Sequence, residues 1–277
     1  MMLQATPQKR EKRMDIFILC LFGAWFFLLG TAMGSFYNVL IDRLPNDQDV
    51  IKSRSECTSC HTKLTWRDLI PVWSFVFLKG RCRYCGQKLS YQYLFSELAV
   101  GGLFLLAFLL QGRWGNWLMT AILLTLWSML FVVGVMDYKY GVIIDQVLIA
   151  FTVIGIVLQL IAKVSILDIL LGGAVGFALY GLIYLVARLV YKKEAFGMGD
   201  VLLLAAIGTF FGPWKTLMIG FLAIYCAIFF IIFLWIKNKK LGRGIEMPLA
   251  PAICTAAFIA SLAGEQIMDF LRKLIFR

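Results

Sequence analysis

Hydrophobic residues along this chain gather in long uncharged stretches broken by short polar ones. Stretches able to cross a bilayer, which takes about 20 apolar residues, run from Ile16 to Ile41, Trp117 to Met136, Ile169 to Ala187, Thr216 to Ile236 and Met247 to Gly264. Two more spans follow if one acid near an end is accepted: Leu89 to Gly112 around Glu97, and Val142 to Ala162 around Asp145. The stretch from Val201 to Trp214 is 14 residues long, which fits a short span or a re-entrant segment. Counting it as a span, the pattern predicts an all-α polytopic membrane protein with about eight transmembrane helices. The first apolar run is too long for a secretory signal and lacks a small-residue cleavage pattern, so it reads as a retained helix following a tail at 1–15. No internal repeat of fixed period stands out.

Composition agrees with this class: 61% of residues are hydrophobic and 16% charged. The basic residues set the orientation. If the spans alternate, one side collects 17 Lys and Arg, nine of them between Asp42 and Lys88, and the other collects 10. The richer side is the cytoplasm by the positive-inside rule, although "QKREKR" at 8–13 pulls the other way. The net charge of +11 is thereby a topology signal, with attraction to anionic lipid as its companion, and does not call for nucleic acid.

Between the first two spans, residues 42–88 are polar and turn-rich and carry four of the seven cysteines. Cys57 and Cys60 form one C-x2-C pair, and Cys82 and Cys85 form a second after 21 intervening residues. Each pair places two thiolates on a tight turn, and two such knuckles close a tetrahedron around Zn²⁺. An insertion this small has little core of its own, so a structural metal would supply much of its folding free energy. A reducing compartment argues against two disulfides. His61 offers a less natural ligand beside a complete set of four thiols.

Two acids interrupt apolar stretches where charge is expensive. Asp137 closes "WLMTAILLTLWSMLFVVGVMD" and Asp200 opens the short stretch after "GMG", so the spans place both at one depth on the cytoplasmic side. Two carboxyls within hydrogen-bond distance hold one proton between them. The ionised one takes a proton from water while the protonated one polarises a peptide carbonyl, which is hydrolysis without metal or nucleophilic side chain. Gly197 and Gly199 leave the backbone bare beside Asp200, where an extended substrate could approach. Taken alone, the glycines and Asp200 also fit a turn with a helix N-cap. Glu97 and Asp145 are further candidates, for contact with a substrate's basic residues or, equally, for a neighbouring helix and interfacial water. Gly30 with Gly34, and Gly172 with Gly176, are G-x3-G faces suited to close helix packing.

The ordered set "GSFYNVLIDRLP", the paired cysteines, "LKGRCRYCGQKLSYQYLFSEL", Asp137, "EAFGMGDVLLLAAIG" and "MPLAPAI" resembles the bacterial type IV prepilin peptidases, GxGD-type intramembrane aspartic proteases, over nearly the whole chain. The resemblance implies a catalytic pair at Asp137 and Asp200, zinc ligands at Cys57, Cys60, Cys82 and Cys85, and a peptidase membrane domain over 89–277. It implies removal of the short basic leader from prepilins or pseudopilins at the cytoplasmic face of the bacterial inner membrane. Methylation of the new N-terminal amine by S-adenosylmethionine follows in such enzymes, although no methyl-donor motif is recognisable here. Leu202 stands where many members carry lysine, and Ile144 where a proline is common. A peptidase without methyl transfer is one alternative; a zinc-bearing scaffold or transporter whose acids bind a cation is another.

Overall fold

The computed structural model describes residues 7–50, 54–57, 59–191, 197–238 and 249–275. The motif segments at 194–196 and 247–248 lie outside the described residues. The described chain is helical: α1 (Pro7–Arg43), α2 (Trp73–Phe77), α3 (Tyr91–Leu110), α4 (Trp117–Tyr140), α5 (Asp145–Ile161), α6 (Ile166–Tyr191), α7 (Met198–Asn238) and α8 (Ala250–Ile275). Six of them, α1, α3, α4, α6, α7 and α8, are long and apolar enough to cross a membrane; α5 is shorter. Helix α1 begins at Pro7, so the segment expected to be a tail is helical from that residue on.

The chain forms two compact units, residues 1–124 and 125–277. The first groups α3 with α1 and the insertion. The reason lies in glycine. A Cβ on Gly30 would lie 2.7 Å from the Phe104 Cβ, and one on Gly34 would lie 2.8 Å from the Glu97 Cα, so only bare backbone lets α1 and α3 come this close. Polar contacts fix the register at one end of the pair: Ser96 Oγ donates to Asn38 Oδ1 at 2.6 Å and the Tyr93 hydroxyl donates to Asp42 Oδ2 at 2.9 Å. At the other end Phe26, Phe108 and Trp117 stack, with Phe26 and Phe108 centroids 5.0 Å apart.

In the second unit α7 is two helical arms. Gly212 has φ 73° and ψ 173°, a backbone conformation outside the helix, and Pro213 follows with no N–H to continue the ladder. A Cβ on Gly208 would sit 3.1 Å from Thr216 Cγ2, and one on Gly220 3.4 Å from Leu204 Cδ2. In a straight helix residues 204 and 220 would be roughly 24 Å apart. The chain therefore reverses at Gly212, and the arms 198–211 and 213–238 lie antiparallel. Helix α6 clamps this hairpin: Cβ atoms on Gly172 and Gly176 would run into the carbonyl oxygens of Gly208 and Leu204. The second G-x3-G face thus packs against backbone.

Because the atom in the way at Gly172 is a main-chain oxygen, Gly172→Ala must push two helices apart. Thermal unfolding in detergent is expected to show a loss of about 1–3 kcal/mol, the usual range for overpacking. Gly102→Ala, where a Cβ meets nothing within 4 Å, is expected to leave the transition unmoved.

Candidate active site and metal centre

Helix α4 carries Asp137 near its C-terminal end, and the first arm of α7 carries Asp200 in its first turn. The arrangement brings these carboxyls close enough that Asp137 acts electrostatically on Asp200, and both act on the thiol of Cys254 in α8. Asp137 is buried at 7% exposure and Asp200 is half-buried. One Asp137 oxygen is occupied: Ala250, the first residue of α8, donates its backbone N–H to Oδ2 at 3.1 Å. First-turn N–H groups have no partner inside their own helix, so a carboxylate there satisfies one of them and meets the positive end of the helix dipole.

The glycines around Asp200 divide their work. Gly197 accepts the Asp200 N–H through its carbonyl at 3.2 Å, and a Cβ on it would lie 3.1 Å from Asp200 Oδ2. This places Asp200 as the third helical residue, after the N-cap. A Cβ on Gly199 would meet the Ile143 Cβ at 3.1 Å, so its bare side admits the segment that follows Asp137. The two acid-bearing segments are thereby packed together as well as coupled electrically. Asp145 is exposed in the first turn of α5.

Tyr180, Cys254 and Ala250 surround the pair without any sign in the hydropathy pattern. Tyr180, buried in α6, donates its hydroxyl to the Gly220 carbonyl at 3.2 Å and feels the charge of Asp200. Cys254 lies one helical turn after Ala250 and against Gly134, where a Cβ would be 3.5 Å from its Sγ. Only the "MPLAPAI" motif pointed to this helix start. A cavity of about 340 Å³ opens around Thr209, Gly212 and Trp214. It lies 12 residues and roughly 18 Å along the arm from Asp200, away from the acids.

In the insertion the sulfur atoms of Cys57, Cys60, Cys82 and Cys85 all lie within 4.8 Å of one another. The Cys57 and Cys85 sulfurs are 3.8 Å apart, which is about the edge of a tetrahedron built on 2.3 Å metal–sulfur bonds. The donor set therefore fits a thiophilic metal ion. Contrary to the sequence expectation, a repeat is present. The knuckles superpose in pattern with an offset of 25 residues: Cys57 N–H donates to Thr62 O and Cys82 N–H to Gln87 O, while His61 and Gly86 donate to the carbonyls of Cys57 and Cys82. "ECTSCHTKL" and "RCRYCGQKL" share cysteines, lysine and leucine at the same places. His61 takes the left-handed backbone (φ 53°) that Gly86 takes in the second copy (φ 71°), and its ring reaches Glu56 at 3.4 Å rather than the sulfurs.

Backbone N–H groups of Cys60 and Ser59 draw the Cys57 thiol below its ordinary pKa, and those of Cys85 and Tyr84 do the same for Cys82. The Thr62 hydroxyl and N–H lower Cys60. Cys85 is pushed up to about 11, since the Gln87 N–H is outweighed by burial and the three other sulfurs. A cation among the sulfurs would favour every thiolate. Asp68 locks the copies together: it accepts from the Thr65 hydroxyl at 2.7 Å, from Arg83 Nε at 2.6 Å and from the Tyr84 hydroxyl at 3.3 Å. Burial raises its pKa, but the bonds from Thr65 and Arg83 more than offset this and hold it below the ordinary aspartate value. Glu97 is buried and holds the insertion to α3, accepting the Val72 N–H on Oε2 at 2.7 Å.

Residues 28–111 match the model of the bacterial peptidase A24 N-terminal domain, and residues 122–232 match that of the type IV leader peptidase family. A Klebsiella pneumoniae prepilin leader peptidase/N-methyltransferase is 37% identical over 204 residues, covering 71% of this chain and 88% of that protein. The Bacillus subtilis protein of the same name is 31% identical over 256 residues, 90% of this chain and 97% of its own. That of Myxococcus xanthus is 35% identical over 199 residues, 72% of this chain and 58% of its own. No solved structure matches. At this identity and coverage, the chain belongs to the type IV leader peptidase family.

The lock at Asp68 has a measurable consequence. Asp68→Asn is expected to weaken the insertion by about 1–2 kcal/mol, a charged hydrogen bond discounted for the part-exposed arginine, read as stripping of bound metal at lower chelator concentration. The wild-type contribution is full at neutral pH and is lost as pH falls below about 3.9 and through the lowered pKa of Asp68.

Proposed function

We propose that Asp137 and Asp200 are the catalytic pair of a prepilin leader peptidase, with the packing of Gly199, beside Asp200, against Ile143, in the segment that follows Asp137, as the observation that carries the reading. The protein is a membrane protease that removes the leader from prepilins and methylates the new N-terminus, as its relatives' names state of them. The relatives leave no reason to prefer the scaffold or transporter reading.

In the reaction one carboxylate takes a proton from a water molecule and the other carboxyl, holding the shared proton, donates to the scissile carbonyl oxygen. The resulting tetrahedral carbon collapses as the amine nitrogen takes a proton, releasing leader and mature chain. The bond between Ala250 N–H and Asp137 Oδ2 supports this by holding one oxygen still and leaving the other for water or for Asp200. The bare side of Gly197 next to Asp200 is where an extended peptide can lie close.

The reversal of α7 supports eight membrane traverses, with α5 as a short span and each arm of α7 as one. The basic balance argues for a cytoplasmic position of the acids and of the insertion. There the leader's charges stay in water while the apolar part of the substrate stays in lipid. The insertion holds Zn²⁺ in a structural, closed site of four thiolates. S-adenosylmethionine is the methyl donor that the relatives' methyltransferase names imply. Asp145, exposed at the start of α5 near the segment that packs on Gly199, is a candidate contact for the basic leader, whereas Glu97 serves the insertion.

Asp137→Asn and Asp200→Asn are each expected to lower leader removal by at least about 100-fold, the lower range for acid–base catalysis. The readout is mass spectrometry of the product N-terminus, with membrane insertion unchanged. Wild-type cleavage by either variant would overturn that residue's role. Purified wild type is expected to carry one zinc per chain by elemental analysis, and Cys57→Ser or Cys82→Ser to lose it.

A further inference from the structure

The outer surface of the insertion is unusual for a polar, metal-bearing segment. Residues 69–78, "LIPVWSFVFL", are ten residues without a charge, set between Arg67 and Asp68 on one side and Lys79 and Arg81 on the other. Within them α2 turns one face inward, with Phe75 buried beneath Gly80. The other face carries Trp73, Val76 and Phe77, at the i, i+3, i+4 spacing of a helical stripe, exposed to 57%, 59% and 75%. Trp73 and Phe77 stack at 5.9 Å.

Two contacts set the depth of this face. The Val72 N–H, at the start of α2, is bonded to Glu97, six residues or roughly 9 Å past the first residue of α3. Even with the side chain tilted back toward the helix N-terminus, this holds α2 level with the first two turns of α3. The Phe75 ring also meets the Tyr91 ring at 5.4 Å. The 20 residues of α3 are about as long as the hydrocarbon core is thick, so those turns lie at the membrane boundary. On α3 there, Tyr91 and Phe95 are likewise exposed, with Tyr91 against α2 through Phe75. Val72 itself has φ 63° and ψ −52°, a conformation rare for a β-branched residue and held by the bond to Glu97.

We infer that residues 69–78 are an interfacial membrane element, with Trp73, Val76 and Phe77 inserted at the headgroup–acyl boundary of the lipid beside α3. The occupant is lipid because the stripe is apolar and aromatic, the flanking Arg67, Lys79 and Arg81 suit anionic headgroups, and the surface runs on into the lipid-facing side of a spanning helix. The insertion would thus ride on the bilayer, its metal centre above the headgroups. This rests on the reading of α3 as a membrane span.

The test places the photo-crosslinker benzoyl-phenylalanine, one site at a time, at Phe77, Phe95 and Lys63 of the full chain in nanodiscs of phosphatidylethanolamine and phosphatidylglycerol. Adducts are then identified by mass. Lipid adducts are expected at Phe77 and Phe95 and not at Lys63. Glu97→Ala is expected to lower the Phe77 lipid adduct by at least about fivefold, and Glu97→Gln, whose side-chain oxygen still accepts the Val72 N–H, to keep it. Lipid at Phe95 with no adduct at Phe77, or an adduct of Phe77 with protein, would overturn the inference while leaving α3 as a span. Absence of lipid from both sites would overturn the spanning reading and the inference with it.

Discussion

The reversal of α7 at Gly212 is the constraint on which the second unit depends. Asp200 stands at the start of the first arm, and the return of the second arm brings the chain back to the level of Asp200. Helix α8 then begins beside Asp137, where its first N–H is bonded. Were α7 a single straight helix of 41 residues, its end would lie roughly 60 Å from Asp200 and α8 would start far from the acids. The turn is possible because Gly212 adopts a positive φ and Pro213 cannot extend the helix, and it is held because α6 meets the arms with bare glycine.

The acids illustrate how a bilayer protein pays for buried charge. Each has a local partner that does not exhaust it: Asp137 has the N–H of Ala250, and Asp200 lies over the bare backbone of Gly197. The segments that carry them pack together where Gly199 meets Ile143. Glu97, as buried as Asp137, differs in this respect, since its bond to the Val72 N–H goes to holding the insertion in place. Burial alone therefore does not separate these acids; what their neighbours leave unsatisfied does.

In the insertion with its four clustered thiols, symmetry does the work of a hydrophobic core. Two copies of one knuckle, 25 residues apart, face their sulfurs toward one point, and Asp68 ties the turn after the first copy to the arginine and tyrosine inside the second. In the sequence the repeat leaves only the paired cysteines and the lysine and leucine after them, and four matching positions in nine carry little weight until hydrogen bonds show them to be equivalent.

Much of the site was legible from the chain alone. Long uncharged stretches mark spanning helices, paired cysteines mark a metal knuckle, and two acids at ends of apolar runs stand out, because each of these signals depends on neighbours within one or two turns. The sequence by itself determined the helices, the four thiols and the candidate acids. Only the tertiary structure decided that α7 folds back, that Tyr180, Cys254 and the Ala250 N–H surround the acids, that Gly199 admits Ile143, and that Glu97 belongs to the insertion. Those facts depend on which faces of distant helices meet, and in apolar helices every face is hydrophobic, so periodicity holds no record of the choice.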